Sequence, residues 1–242
     1  MNKFIRTELL LGSEAMKRLE SAAVAVFGVG GVGSYAVEAL ARAGIGHLIL
    51  IDYDKVDVTN INRQLHATTK TIGQNKTDLM RSRILEINPN AKVDIISDFY
   101  LPTDFIEGTN KYFIYNYDYV IDAIDTITAK IGLVCDCQRR GIKIISSMGA
   151  GNKLDPTQFK VGDIFDTSVD PIAKVMRKKL KEAGINKLKV VYSTEKPIAL
   201  DSELVSKLSE TTNKVIGSIS FVPSAAGLIL AGEVIKDIAN RR

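Results

Sequence analysis

The chain alternates between short, continuous apolar runs and longer segments whose apolar residues recur at helical spacing. Apolar runs of this length are typical of strands that are buried on both faces of a parallel sheet. Each helical segment between two runs would carry the chain back across one face of that sheet. The runs predict strands at Ala22–Gly28, His47–Asp52, Lys92–Ser97, Tyr117–Asp125 and Ile142–Gly149.

Four helices are predicted in the same part of the chain, and two of them end directly before a glycine. Glycine commonly follows the last residue of a helix because it adopts the left-handed conformation without strain. Alternation of strands and helices predicts an α/β fold, with a mostly parallel sheet flanked by helices. The predicted helices span Phe4–Glu20, Ser34–Ala43, Lys76–Asn88 and Thr128–Arg140.

The pattern is weaker after Gly151, where polar segments separate fewer regular elements. Asp155–Val169 is expected to form a loop or short strand, and Lys196–Lys214 a polar, flexible loop. The apolar stretch Val215–Gly232 has about the minimum length for a membrane span. Its proline, serines and glycines favour instead a strand, a turn at Pro223 and a buried helix. The remaining predicted elements are a helix at Pro171–Ala183, a strand at Lys187–Ser193 and a final core helix at Ser224–Asn240.

Composition indicates a globular protein of 242 residues, which we interpret as one domain with two functional halves. The boundary lies at Gly151, so that residues 1–151 contain the regular alternation of strands and helices and residues 152–242 the weaker pattern. Two cysteines cannot form a disulfide framework, and no secretory signal opens the chain, so we expect a cytoplasmic protein. Residues 151–242 hold 15 basic and 11 acidic side chains, which accounts for the net charge of +4.

A glycine-rich stretch, GVGGVG, lies between the first predicted strand and the following helix. Glycines let the backbone approach a phosphate, and the start of the helix offers free N–H groups. Asp52 ends the next strand and is placed to accept hydrogen bonds from ribose hydroxyls. These features serve NAD, FAD and ATP equally well. The loop residues expected to bind the nucleotide are Gly28, Gly30, Gly31 and Gly33.

Charged and amide side chains beyond the second strand favour a triphosphate over a dinucleotide. The pyrophosphate that leaves when ATP reacts needs more positive charge around it than the pyrophosphate that joins the two halves of a dinucleotide. Asp122 and Asp125 end another parallel strand, at the edge where such sheets bind ligands, and a carboxylate there can hold Mg²⁺. The polar residues expected to contact ATP are Asp54, Asn60, Asn62, Arg63, Gln64 and Lys76.

Together these motifs resemble the ThiF/MoeB group of ubiquitin-activating-like adenylating enzymes, whose sheet is Rossmann-like. The resemblance implies attack of a carboxylate on the α-phosphate of ATP, giving an acyl-adenylate and pyrophosphate. It assigns the phosphate chain to Asn62, Arg63, Gln64 and Lys76, and Mg²⁺ to Asp125. Arg6 matches an arginine that such dimers insert into the active site of the partner, which implies a homodimer.

The later segments MGAGNKLDPTQFKVGDIFDTSVDPIAKVMRKKL and VYSTEKP resemble, within this group, the tRNA threonylcarbamoyladenosine dehydratase family. That resemblance implies that ATP activates the carboxylate of threonylcarbamoyladenosine in tRNA, which then cyclises with loss of water. It also allows a sulfur-transfer partner protein. Because the substrate carries its own second nucleophile, Cys135 and Cys137 need not be catalytic.

A basic segment at residues 172–189 is expected to contact tRNA, because phosphate neutralisation requires dense positive charge. Three other functions stay open. They are activation of a ubiquitin-like sulfur carrier, an NAD(P)-linked oxidoreductase and a non-catalytic scaffold. The predicted nucleic-acid contacts are Lys174, Arg177, Lys178 and Lys181.

Overall fold

A computed structural model of the chain describes residues 2–100, 102, 111–209 and 215–240. Within these residues, seven strands form one sheet in the order β3-β2-β1-β4-β5-β7-β6. All neighbouring strands run parallel except β6, which pairs antiparallel with β7. This arrangement confirms the predicted α/β fold. The strands are β1 Ala23–Phe27, β2 His47–Ile51, β3 Lys92–Ile96, β4 Tyr119–Asp122, β5 Ile144–Ser147, β6 Phe159–Asp163 and β7 Lys189–Ser193.

Helices cover both faces of the sheet, and α8 packs along α3 and α2. The contact between α8 and α3 is close because Gly227 faces the backbone of Val32. A Cβ on Gly227 would lie only 2.2 Å from the carbonyl oxygen of Val32. The helices are α1 Ile5–Leu11, α2 Ser13–Ser21, α3 Gly33–Ala43, α4 Lys76–Ile87, α5 Ile127–Arg140, α6 Pro171–Glu182, α7 Ser202–Ser209 and α8 Phe221–Ala239.

Two predicted elements in the first half differ most from the structure, and the others differ by at most two residues at either end. The single N-terminal helix is wrong, because Gly12 has a φ of +83° and separates α1 from α2. The fourth strand is shorter than its apolar run. It ends at Asp122, and the backbone of the next residue, Ala123, lies against Gly28 of the glycine-rich loop.

The second half differs more from the sequence prediction. The polar segment Lys196–Lys214 was expected to be a loop, but it contains α7, and its residues 210–214 lie outside the described part. No strand forms at residues 215–220, and Pro223 lies in the first turn of α8 instead of at a turn before it. Proline is tolerated there because the first N–H groups of a helix have no intrahelical partner.

No helix in the described residues is long and apolar enough to cross a membrane. The most apolar helix, α8, is instead part of the largest core cluster, through residues such as Leu230 and Val234. These side chains pack with Val24 of β1 and Leu40 of α3. The helix α8 therefore packs as a buried element against one face of the sheet.

Candidate functional site

The carboxyl ends of β1, β2, β4 and β5 open into one cavity of about 620 Å³. Open α/β sheets bind ligands at this edge because loops from several strands meet there. The cavity has two parts. One is lined by the glycine-rich loop and the residues after β2, the other by residues 147–153, which follow β5, and by the start of α6.

The four glycines of the loop have separate structural roles. Gly28 has a φ of +85°, and a Cβ there would lie 2.6 Å from the carbonyl oxygen of Ala123. A Cβ on Gly33 would lie 1.8 Å from the carbonyl oxygen of Gly28. Gly30 and Gly31 line the cavity, and a Cβ on either would make only van der Waals contacts with side chains, at 3.7 Å to Gln64 for Gly30 and at 3.4 Å to Arg63 and Pro223 for Gly31. The outer two glycines therefore allow close packing, while the inner two leave the backbone accessible to a phosphate.

Asp52 connects the end of β2 to the glycine-rich loop. One carboxylate oxygen accepts a hydrogen bond from the N–H of Val29 at 2.6 Å, and the other accepts from the N–H of Asp54 at 2.8 Å. Burial raises the pKa of Asp52, although the nearby Lys76 acts in the opposite direction. Asp52 therefore fixes the loop in addition to facing the position expected for the ribose.

Lys76 provides a buried positive charge at the start of α4. Its ammonium lies 2.7 Å from the carboxylate of Asp54, and only 4% of the residue is exposed. Both residues line the cavity. Asp54 is the more accessible member of the pair. The ion pair keeps the ammonium in place at the cavity wall, where it can interact with a phosphate chain.

Arg63 is held at the cavity wall by neighbouring oxygen atoms. Its guanidinium donates hydrogen bonds to the carbonyl oxygen of Thr59 at 2.7 Å and to the side chain of Asn62 at 2.9 Å. The amide of Asn62 in turn donates to the carbonyl oxygen of Ser218 at 2.9 Å. Asn62 does not itself line the cavity, so it supports Arg63 and connects it to the segment before α8.

Asn60 and Gln64 are both buried at the cavity wall, in the segment that carries Arg63. The side chain of Asn60 accepts a hydrogen bond from the N–H of Asp57. The carbonyl oxygen of the Gln64 side chain has no partner among the described residues. A buried amide of this kind has hydrogen-bonding capacity left for a ligand.

Asp122 is the last residue of β4 and Asp125 lies three residues later, yet the two side chains occupy different environments. Asp125 is exposed at the cavity, and its carboxylate accepts a hydrogen bond from Thr126 at 3.3 Å. Asp122 is fully buried and lies 2.9 Å from the ammonium of Lys130. It also accepts a hydrogen bond from the hydroxyl of Ser146. Asp125 is thus the carboxylate available to a ligand, and Asp122 supports the loop.

Several residues of the cavity wall were not predicted from the sequence. Lys130 could have been suspected, because it lies in the helix that follows Asp125. Lys153 is buried and donates to the carbonyl oxygen of Gly149 at 2.9 Å. Tyr53 and Phe99 form an edge-to-face pair with ring centroids 4.8 Å apart. The two rings meet because the ends of β2 and β3 lie side by side in the sheet. The spacing of residues along the sequence does not predict this contact.

The predicted basic helix, α6, buries one face and exposes the other. Ala173, Met176 and Leu180 pack into the core, whereas Lys174, Lys178 and Lys181 are exposed. Arg177 is partly buried, and its guanidinium donates to the carbonyl oxygen of Thr167 at 2.9 Å. The exposed lysines therefore form a basic surface, which we call the basic face of α6. Pro171 and Ile172, at the start of this helix, line the cavity.

Four other residues with charged or titratable side chains do not line the cavity. Arg6 is exposed on α1. Burial raises the pKa of both cysteine thiols, Cys135 and Cys137, and neither lines the cavity. His66 is buried, which lowers its pKa to about 4, and its ring nitrogens have no partner in the described structure.

Comparison with known proteins gives one consistent result. The family model described as the ThiF family matches residues 4–242. A tRNA threonylcarbamoyladenosine dehydratase of Bacillus subtilis is 47% identical over 98% of this chain and 95% of its own length. The protein of that name from Escherichia coli is 41% identical over 80% of this chain and 74% of its own length.

Solved structures agree with the sequence comparison. The crystal structure of Escherichia coli tRNA N6-threonylcarbamoyladenosine dehydratase with AMP superposes with a TM-score of 0.87 at 36% identity. The match covers 98% of this chain and 93% of that one. The same enzyme with ATP gives a TM-score of 0.85 at 35% identity. On its sequence, its fold and the loops that surround its cavity, the chain belongs to the ThiF family.

Proposed function

We infer that the chain catalyses the ATP-dependent dehydration of threonylcarbamoyladenosine in tRNA, by adenylating its carboxylate and releasing AMP and pyrophosphate. The observation that carries this inference is that the phosphate-binding loop and the start of α6 line the same cavity. Its first part holds the phosphate-binding loop, Asp52 and Lys76, and its second part reaches the start of the basic helix α6. One cavity can therefore receive ATP and a modified base of a bound tRNA together. The similarity to the two dehydratases gives the substrate.

The reaction takes place in two steps. A carboxylate oxygen of the substrate forms a bond to the α-phosphorus, and the bond from that phosphorus to the bridging oxygen breaks to release pyrophosphate. The carbamoyl group then attacks the acyl carbon, loses a proton and displaces AMP. The oxygen removed from the carboxylate leaves in AMP, so the substrate loses the elements of water. Ring closure is intramolecular, which favours it strongly over attack by an external nucleophile.

The residues of the cavity bind and orient ATP for the first step. Asp52 faces the ribose, and the backbone of Gly30 and Gly31 approaches the phosphates. Arg63 and Lys76 offset the negative charge that develops on the leaving pyrophosphate. The buried position of Lys76 supports this role, because an ammonium interacts more strongly with phosphate where water is excluded.

Mg²⁺ is the proposed metal, with Asp125 as its protein ligand. No group of three metal-binding side chains exists in the described residues, and Asp125 is the exposed carboxylate beside the phosphate-binding loop. This donor set fits Mg²⁺, which usually takes one or two carboxylates together with phosphates and water. The bound ion would neutralise phosphate charge.

The thiols support a mechanism without a protein acyl intermediate. A cysteine nucleophile acts as its thiolate. Burial raises the pKa of Cys135 and Cys137 and so disfavours that form. The substrate's own carbamoyl group supplies the second nucleophile.

We propose that tRNA contacts the basic face of α6 through Lys174, Lys178 and Lys181. Arg177 stabilises the helix through its hydrogen bond to Thr167. In this arrangement residues 1–151 bind the nucleotide and residues 152–242 bind the RNA. The exposure of these lysines, on a helix whose first two residues line the cavity, supports the assignment. A tRNA substrate makes the cytoplasm the proposed location.

A homodimer is the proposed assembly, with Arg6 inserted into the active site of the partner. The helix that carries Arg6, α1, buries none of its residues within one chain. Leu9 and Leu10 are 80% and 86% exposed on the same helix. Apolar side chains at this exposure favour a covering partner, and a second copy is the simplest one. A sulfur-transfer partner protein remains a separate proposal that rests on the resemblance alone.

The direct test incubates the purified protein with ATP, Mg²⁺ and tRNA bearing threonylcarbamoyladenosine. The nucleosides are then analysed by mass, and AMP is measured. We expect the modified nucleoside to lose the mass of one water, with one AMP released for each conversion. Unmodified tRNA of the same sequence is the control. Intact modified nucleoside after incubation with folded, ATP-binding protein would refute the proposed function.

A further inference from the structure

Two loops at the cavity are held by the same arrangement of a buried aspartate and a buried lysine. At the end of β4, Asp122 accepts a hydrogen bond from the N–H of Ile124 at 3.1 Å. Lys130 donates to the carbonyl oxygen of the same residue at 3.1 Å, and the two side chains form an ion pair. Both backbone groups of Ile124 are therefore fixed. We call this arrangement the nucleotide clamp, because Asp125 follows directly.

The second arrangement lies at the end of β5. Asp170 accepts a hydrogen bond from the N–H of Gly149 at 3.1 Å, and Lys153 donates to the carbonyl oxygen of Gly149 at 2.9 Å. The ammonium of Lys153 lies 3.8 Å from the carboxylate of Asp170. Both side chains are almost completely buried. We call this arrangement the acceptor clamp, where the acceptor is the substrate whose carboxylate receives the adenylyl group of ATP.

The acceptor clamp also fixes the start of α6. The other carboxylate oxygen of Asp170 accepts from the N–H groups of Ile172 at 2.9 Å and Ala173 at 3.1 Å. One carboxylate thus connects the first turn of the basic helix to the cavity loop that contains Gly149. Ordinary helix capping would require only the contacts to α6. The additional contacts to Gly149 and Lys153 show that the position of the loop is specified as well.

Backbone strain occurs in the same region. Val169, directly before Asp170, has a φ of +69°, which is costly for a β-branched residue. Asn152, in the cavity loop, has a φ of +56°. Its backbone N–H donates to the carbonyl oxygen of Gly217 at 2.8 Å, and its side chain accepts from the N–H of Gly217 at 2.7 Å. Strained residues persist where the surrounding contacts hold them, and they concentrate at functional sites.

We propose that Asp170 is a positioning residue for the acceptor substrate. By holding Gly149 and the start of α6 together, it sets the loop 148–153 at a fixed distance from the basic face that binds tRNA. The modified nucleoside of the tRNA enters the part of the cavity between this loop, Ile172 and Ile216. The proposal rests on the proposed function, and it deepens it by assigning the two parts of the cavity to the two substrates.

The test uses Asp170→Asn in the full-length protein. Asparagine caps a helix as well as aspartate does, so α6 is expected to stay folded. Its amide nitrogen, however, would face the N–H of Gly149, so that a donor opposes a donor and the counter-charge of Lys153 is lost. Asp163→Asn is the matched control. Asp163 caps a short turn through the N–H of Phe165 and accepts from the N–H of Leu188, so both of these hydrogen bonds lie outside the loop 148–153.

Three measurements are made on both variants and the wild type. They are hydrogen exchange in residues 148–153, the dissociation constant for ATP, and kcat/KM for the modified tRNA. For Asp170→Asn we expect faster exchange in the loop, an ATP affinity within about twofold of wild type, and a loss in kcat/KM of about tenfold or more. Asp163→Asn should leave all three unchanged.

Each contrary result has a separate meaning. Loop exchange equal to that of the wild type would overturn the positioning role. Faster exchange with unchanged kcat/KM would overturn the assignment of the loop to the acceptor. A parallel loss of ATP affinity would also overturn that assignment, because a general disturbance of the cavity would explain it. If the wild-type protein itself does not act on modified tRNA, the proposed function fails, and hydrogen exchange still decides whether Asp170 holds the loop.

Discussion

Lys130 and Asp122 form a fully buried ion pair of 2.9 Å directly behind the loop that carries Asp125. The two side chains together hold the N–H and the carbonyl oxygen of Ile124. A buried charge pair contributes little net stability compared with apolar residues, but removal of one partner leaves an uncompensated charge. The pair therefore fixes the backbone before Asp125, and its loss should affect both folding and the proposed magnesium site.

Substitution Lys130→Met is expected to lower the free energy of unfolding by about 3–5 kcal/mol, because Asp122 stays buried without its counter-charge. The double variant with Asp122→Asn should recover part of that stability. Denaturant unfolding measures both. Under conditions where Lys130→Met is folded, the Mg²⁺ concentration for half-maximal AMP release should rise. An unchanged Mg²⁺ dependence would show that the nucleotide clamp does not position Asp125.

Asp125→Ala should reduce AMP formation by about a hundredfold or more, because the proposed metal loses its protein ligand. The unfolding free energy should change little, since the side chain is exposed. AMP release and thermal unfolding are measured together. Asp166→Ala, an exposed aspartate outside the cavity, is the control. If Asp125→Ala forms AMP at the wild-type rate, Asp125 is not the metal ligand.

Local sequence patterns predicted the parallel strands because strand burial depends on a run of neighbouring residues. They failed where a single contact decides the conformation. The apolar spacing of the N-terminal helix continues through Gly12, yet the left-handed backbone at Gly12 divides it. Gly217 and Ser218 were expected in a strand. Their backbone instead bonds to Asn62 and Asn152, which lie far away in the sequence.

The candidate site was predictable to the extent that its residues follow strands closely. Asp52 follows β2 directly, Gly30 and Asp125 each lie three residues beyond a strand, and all three line the cavity. Lys153 and Asp170 were missed because the role of each depends on its contact with the other, and the two residues lie in separate segments of the chain. A pattern read along one segment contains no information on such a pair. Buried ion pairs between segments therefore require the folded structure.

Removal of positive charge from the basic face of α6 should weaken tRNA binding without changing ATP binding. In the variant with Lys174→Gln, Lys178→Gln and Lys181→Gln, the slope of log affinity against log salt should fall by about one for each lost phosphate contact. Filter binding at several salt concentrations measures this slope. Lys17→Gln, on α2, is the control and should behave as wild type. An unchanged slope in the triple variant would exclude the basic face from the interface.

The buried His66 predicts a pH dependence of stability. Its pKa is lowered from 6.5 to about 4 by burial and by Lys76. Below pH 6.5 the unfolded chain therefore binds a proton that the folded chain does not, so stability falls as the pH falls from 6.5 to 4. The loss from this residue amounts to about 3 kcal/mol at pH 4. Unfolding of wild type and His66→Gln at several pH values isolates the contribution. Equal pH slopes in both proteins would contradict it.

The proposed insertion of Arg6 into the partner's site predicts complementation between two inactive variants. Arg6→Ala and Lys76→Ala should each lose activity, since every site in either homodimer lacks one residue. In a heterodimer, one site would combine the intact Lys76 of its own chain with the intact Arg6 of the partner subunit. Equal mixing after subunit exchange should therefore restore about a quarter of the wild-type sites.

Measurement of AMP release in the exchanged mixture tests this arrangement. The control is a mixture of Lys76→Ala with a variant that carries both Lys76→Ala and Arg6→Ala, in which no site can be complete. Activity in the first mixture and none in the control would support insertion across the dimer. If Arg6 acts within its own chain, each heterodimer site still lacks one residue, and the first mixture would stay inactive.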